Sequence, residues 1–115
     1  MYVPLRSLGA YSASAALGDE LWGVVEGWSS LAQWTVGVQL IRAADSVAAN
    51  IAEASGRWQP DDKKRLLIIA RGSLRETEHW IDRAAARDLI ENGYEGRLNE
   101  ISRSLSGLIN AQRRR

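Results

Sequence analysis

The lone histidine of this 115-residue chain, His79, falls three residues after Glu76. Glu-x-x-His is the spacing by which a helix turns two metal ligands to one face. A carboxylate-bridged di-iron centre needs a second such pair and two further glutamates. The chain has no second histidine, so one chain cannot complete that ligand set. It also has no cysteine, which removes thiol catalysis, disulfides and cysteine-ligated zinc or iron–sulfur sites. Ser46 and Ser73 fall inside helical patterns rather than on the strained strand-to-helix turn of a nucleophile elbow. No catalytic, cofactor or metal site is expected, and His79 reads as an exposed helical residue.

A second polar constellation is more informative. Gln39, Arg42, Ser46, Asn50, Glu53 and Arg57 recur at helical steps of three and four. At about 100° per residue they fall inside one wedge roughly 80° wide. Outside the wedge this stretch is apolar or small apart from Asp45, Ser55 and Gly56. A surface helix shows the opposite, a narrow apolar stripe and a wide polar face. The wedge reads as a polar seam between helices, with Ser73 and Glu76 supplying partners from the next helix. Arg42 and Glu53 are eleven residues apart, about 16 Å along a helix, so they cannot pair within a chain. Glu76, or a residue of another subunit, is the expected partner of Arg42. Because the helix is apolar around so much of its circumference, a second copy of the chain is expected to cover part of it.

The elements that must position these residues are four helices, expected roughly over 8–28, 30–55, 60–87 and 94–112, in a single domain of 1–115. Leu17, Leu21, Val24, Trp22, Val25, Trp28 and Ala32 mark the apolar side of the first. Gly56 offers a left-handed exit from the second. Pro60 suits the first turn of the third, and Asp61 and Asp62 complement its positive end. Leu67, Ala70, Leu74, Thr77, Ile81 and Ala84 form the third helix's inward stripe. Asn92-Gly93 signals a turn. Tyr94, Leu98, Ile101, Leu105, Leu108 and Ile109 form the fourth stripe. No β-type alternation competes. The fold class is therefore all-α, and short connections imply an up-down-up-down antiparallel four-helix bundle.

Composition agrees with an ordinary globular chain: 45% apolar, 25% charged, formal net charge +1. The charge is unevenly spread. Residues 1–56 hold two basic against five acidic residues, and 57–115 hold 13 against nine. Candidate nucleic-acid contacts are Arg57, Lys63, Lys64, Arg65, Arg71, Arg75 and the terminal Arg113, Arg114 and Arg115. Lys64, Arg71 and Arg75 share the outward face of the third helix, but so do Glu78 and Asp82, the mixed-sign pattern of a solvated helix. Trp22, Trp28 and Trp34 read as packing or interface anchors. Trp58, in the loop beside Arg57, is the tryptophan best placed to touch a partner, with packing over the bundle end the favoured expectation. The N-terminus lacks the basic start and apolar stretch of a secretory signal, and no run is long enough to span a membrane, so the cytoplasm is the expected location.

The run Gln39-Leu40-Ile41-Arg42-Ala43-Ala44-Asp45-Ser46-Val47-Ala48-Ala49-Asn50-Ile51-Ala52-Glu53-Ala54, followed by Gly56-Arg57, closely resembles the signature of the four-helix-bundle family named for the 23S rRNA intervening-sequence protein. Ala70-Arg71-Gly72-Ser73-Leu74-Arg75-Glu76 resembles that family's second motif. Ala54 stands where the family commonly has glycine. The resemblance implies a left-handed antiparallel bundle assembled as a ring-like homopentamer, with no enzymatic activity. Two alternative roles are expected. The over-apolar second helix and the lack of a catalytic constellation point to a homo-oligomeric assembly or adaptor protein. The resemblance implies the other, an accessory protein of the diversity-generating retroelement type, which binds RNA or DNA and a reverse transcriptase.

Overall fold

The computed structural model describes residues 2–112. Among the described residues there is no strand. A short 3-10 turn over Leu5–Ser7 leads into α1 (Gly9–Glu26). The second helix, α2, spans 30–55 and is built from Ser30–Ala32, a π-helical segment over Gln33–Gly37, and Val38–Ser55. Then come α3 (Pro60–Ala86) and α4 (Glu95–Ala111). The four helices lie within two residues of the ends expected from the periodicity. The molecule measures 50 × 23 × 21 Å. Its length exceeds the roughly 40 Å of a 27-residue helix such as α3.

Each helix contributes one stripe to a shared core. Leu17, Leu21 and Val25 come from α1, and Leu40, Ala44, Val47 and Ile51 from α2. Leu67, Ala70, Leu74 and Ile81 come from α3, and Leu98, Ile101, Leu105 and Ile109 from α4. Every residue of the inward stripe expected for α3 is buried, Thr77 included. Thr77 tolerates that place because its hydroxyl donates to the Ser73 carbonyl one turn earlier, at 2.8 Å. Ser14 is buried in α1 by the same device, donating to the Ala10 carbonyl at 2.7 Å. Among the described residues, no buried side-chain polar atom lacks a partner.

The helix ends follow the expected chemistry at Pro60 and depart from it at Gly56. Pro60 opens α3 with Asp61 and Asp62 in its first turn, as expected. Gly56, however, leaves α2 at φ −93°, in the right-handed region, so its left-handed freedom is not used. The left-handed exit belongs to α3 instead, at Asp88 with φ 58°. There the Leu89 amide donates to the Ala84 carbonyl at 2.9 Å and the Asp88 amide to the Ala85 carbonyl at 3.1 Å, the paired bonds of a Schellman motif. Gly93, in the expected turn, has φ 124°.

The π-helical segment over Gln33–Gly37 carries no mark in the sequence. In its wider turn the Val38 amide reaches the Gln33 carbonyl, five residues back. The buried Gly37 of this segment lies so close to α1 that a Cβ there would stand 2.7 Å from Val25 Cγ1. Gln33 then reaches back to α1, its side-chain amide donating to the Val25 and Glu26 carbonyls at 3.2 and 3.0 Å. These carbonyls belong to the last turn of α1, beyond the reach of i+4 helical amides; the Trp28 amide also donates to the Val25 carbonyl at 3.0 Å.

Candidate functional site

The polar wedge of α2 divides into a closed centre and open ends. At the centre, the hydroxyls of Ser46 on α2 and Ser73 on α3 lie 2.9 Å apart. Asn50 Nδ2 donates to the Ser46 carbonyl at 2.8 Å and to the Ser46 hydroxyl at 3.1 Å. All three residues are half-buried, so this chain of bonds joins the two motif-bearing helices where water is partly excluded.

Toward the N-terminal part of the wedge the seam opens. Gln39, Arg42 and Glu76 are exposed, and with Ile41, Asp45, Ala49 and Ser73 they line a groove of about 590 Å³ between α2 and α3. Arg42 and Glu76 do not pair within the chain. The Glu76 carboxylate instead accepts from Trp80 Nε1 at 3.3 Å, one turn along α3. At the other end, Arg57 pairs with Glu53 at 2.8 Å along α2, and both are exposed. Such a surface pair contributes little, about 0–1 kcal/mol. The arginine expected to need a buried carboxylate is a surface arginine in the single chain.

The apolar circumference of α2 is also better covered than composition suggests. Leu40, Ala43, Ala44, Val47, Ala48, Ile51 and Ala54 are all buried by the chain's own helices. Ala49 is exposed, and Ile41 and Ala52 are half-buried. Small alanines let α1 and α3 approach closely enough to cover most of the helix without a second chain.

The large exposed apolar side chains lie elsewhere. Trp22, Leu31 and Trp34 are 54%, 77% and 75% exposed and come from the last turns of α1 and the first turns of α2. Trp22 had been placed on the apolar side of the first helix, but the turn of α1 points it outward. Trp28 does pack inward, its Nε1 donating to the Leu89 carbonyl at 2.7 Å. Trp58 is 94% exposed and does not pack over the bundle end.

The basic candidates are scattered. Arg57 and Arg75 are engaged with Glu53 and Glu78, each pair at 2.8 Å. Lys64, Arg65 and Arg71 are exposed on α3 and form no ion pair among the described residues. Lys63 is half-buried beside an apolar cleft. Arg113, Arg114 and Arg115 lie outside the described residues. His79 is exposed, its ring edge-on to Trp80 at 4.8 Å. Among the described residues no group of acidic or histidine side chains is arranged to hold a metal, and no helix is long and apolar enough to cross a membrane.

Two electrostatic features escaped the sequence. Glu20 on α1 pairs with Arg97 on α4 at 2.7 Å. The bond from Arg97, then one from Tyr94, holds the Glu20 carboxyl below the usual glutamate range. Burial, then the bond to Glu20, raises the Tyr94 phenol. Asp45 faces α1 at Gly18, where a Cβ would stand 3.0 Å from its carboxylate oxygen. Burial, then the Asp19 charge, raises its pKa. A lone acidic residue in an otherwise apolar stretch was the signal for Asp45. Pairing between α1 and α4 left no signal, because it depends on which helices become neighbours.

The fold and the paired motifs meet in the comparison with known families. A search of the curated proteins finds no match. The family model described as 23S rRNA-intervening sequence protein matches residues 6–111, a span that takes in all four helices and both motifs. The chain belongs to the 23S rRNA-intervening sequence protein family.

Proposed function

We propose that this protein is a non-enzymatic assembly or adaptor protein that works as a homo-oligomer. The helices run up-down-up-down in an antiparallel bundle, a reading supported by the short connections and the elongated shape, and left-handed as the family resemblance implies. The observation that carries the assembly is the exposure of Trp22, Leu31 and Trp34 around the α1–α2 turn. Large aromatic side chains held in water cost solvation and commonly anchor subunit contacts. The open groove holding Arg42 and Glu76 offers charged groups to the same contacts. Five subunits is the number that the family resemblance implies.

The test is sedimentation velocity of Trp34→Ser and Leu31→Ser beside the parent. Both residues are surface-exposed, so helix content should hold while association weakens. An unchanged sedimentation coefficient in both variants contradicts assembly through this surface.

A second reading has its own support. Lys64, Arg65 and Arg71 are exposed cations on α3 without ion pairs among the described residues, and repetition in an oligomer multiplies such a patch. In this reading the assembly binds RNA or DNA beside a nucleic-acid enzyme such as a reverse transcriptase. Binding must then weaken steeply with salt as counterions are released. RNA affinity unchanged between low and moderate salt contradicts it.

A further inference from the structure

A cleft opens at one end of the bundle, away from the motif groove. It spans about 1000 Å³ between the N-terminal segment, the C-terminal turns of α2 and α4, and the first turns of α3. Leu5, Ile51, Leu67 and Leu108 give it apolar walls. The sequence leaves it unfilled because small residues stand where other layers of the bundle carry leucine. A Cβ built on Gly9 or on Gly107, both at its lining, would meet no atom within 4 Å. These glycines therefore do not serve close helix packing. Lys63 is the one charged residue lining the cleft among the described residues. It is half-buried and forms no ion pair among them.

We infer that this cleft binds a linear amphiphile with an anionic head, its alkyl chain between Leu5, Ile51, Leu67 and Leu108 and its carboxylate on Lys63. The cleft has the size and apolar lining of small-molecule sites, with a single cation to fix orientation. Among the described residues the lining carries no carboxylate, which favours an anion over a cation or a zwitterion. A half-buried ammonium with no ion pair among the described residues gains most from a carboxylate, since charge-assisted bonds are the strong ones. The site goes beyond the assembly proposed above and does not require it.

The experiment is isothermal titration of the full chain with decanoate below its micelle concentration, and with decan-1-ol as the uncharged control. Decanoate should bind saturably, one per chain. Lys63→Met should weaken decanoate about tenfold and leave decan-1-ol unchanged. Gly107→Leu should remove binding of both while retaining helix content, because the new side chain enters open space inside a helix. Absence of saturable decanoate binding overturns the inference, and so does unchanged decanoate affinity in Lys63→Met. If Gly107→Leu instead changes the particle mass and leaves decanoate binding intact, the cleft is a contact between copies and the inference fails. A chain that is single by light scattering yet binds decanoate contradicts the assembly and supports the cleft.

Discussion

The hydroxyl of Ser46 lies 2.9 Å from the hydroxyl of Ser73, and this bond joins the two sequence motifs across the α2–α3 interface. One hydroxyl donates and the other accepts, and Asn50 completes the arrangement by donating to Ser46. Removing either serine hydroxyl leaves its partner half-buried with a lost bond, at a cost of about 1 kcal/mol. Ser46→Ala should cost slightly more than Ser73→Ala, since Asn50 also loses an acceptor. A double-mutant cycle read by urea denaturation should give a coupling of about 0.5–1 kcal/mol. Strict additivity would mean that the bond contributes nothing to the folded state.

Among the glycines, Gly37 leaves the least room for a side chain. A Cβ there would stand 2.7 Å from Val25 Cγ1 and 3.2 Å from the Ala32 carbonyl. Ordinarily Gly→Ala inside a helix is favourable. Here the methyl group forces α2 away from α1, and overpacking of this kind costs about 1–3 kcal/mol. Thermal denaturation of Gly37→Ala should show a lower Tm, whereas Gly72→Ala, which meets open space, should raise it. A Gly37→Ala variant as stable as the parent would show that the π-helical segment yields without cost.

Asp88 holds a left-handed conformation, φ 58°, that glycine adopts without a Cβ penalty. Asp88→Gly keeps both Schellman bonds and removes that penalty. The expected gain is under about 1 kcal/mol, visible as a raised Tm. A lowered Tm would mean that the Asp88 side chain contributes more than its conformation costs.

Two carboxylates push the pH dependence in opposite directions. Glu20 has a lowered pKa in the folded chain, through Arg97 first and Tyr94 second. Its contribution is therefore present above the unfolded value and is lost as pH falls through the folded one. The pair is largely exposed, which keeps the effect below about 1 kcal/mol. Asp45 has a raised pKa, through burial first and Asp19 second. Its charge costs stability at neutral pH, and the cost disappears as pH falls through the folded value toward the unfolded one. Glu20→Gln should flatten the acid limb of a stability–pH curve. Asp45→Asn should stabilise at pH 7 and change nothing at pH 2. Asp45 remains exposed overall, which keeps the effect small, and equal effects of Asp45→Asn at both pH values would contradict the partial desolvation of its charge.

The fold was legible because apolar periodicity is dense in this chain. Leu67, Ala70, Leu74, Thr77, Ile81 and Ala84 mark one stripe in the sequence and are all buried in α3. The same reading fails at Trp22 and at Leu108, which sit at the edges of their stripes, where a small rotation decides burial. The π-helical segment at Gln33–Gly37 is such a rotation, and no residue type announces it. The candidate site was legible in its composition and less so in its pairing. Ser46, Asn50 and Ser73 come together as bonds between short side chains close to the backbone. Arg42 and Glu76 do not, because long side chains on an open face have water as an alternative partner. Neither spacing nor composition marks the cleft beside Lys63. It arises where the ends of four separate elements leave space, which only the assembled bundle defines.

The bundle covers its own motif helix, yet leaves three large apolar side chains of the α1–α2 turn in water. Light scattering coupled to size exclusion at micromolar chain concentration reads the consequence directly. The expected result is one monodisperse species with a mass several times the 12.7 kDa of the chain, five times if the family's ring is formed. A well-folded species of 12.7 kDa that persists across the concentration range would contradict association through Trp22, Leu31 and Trp34.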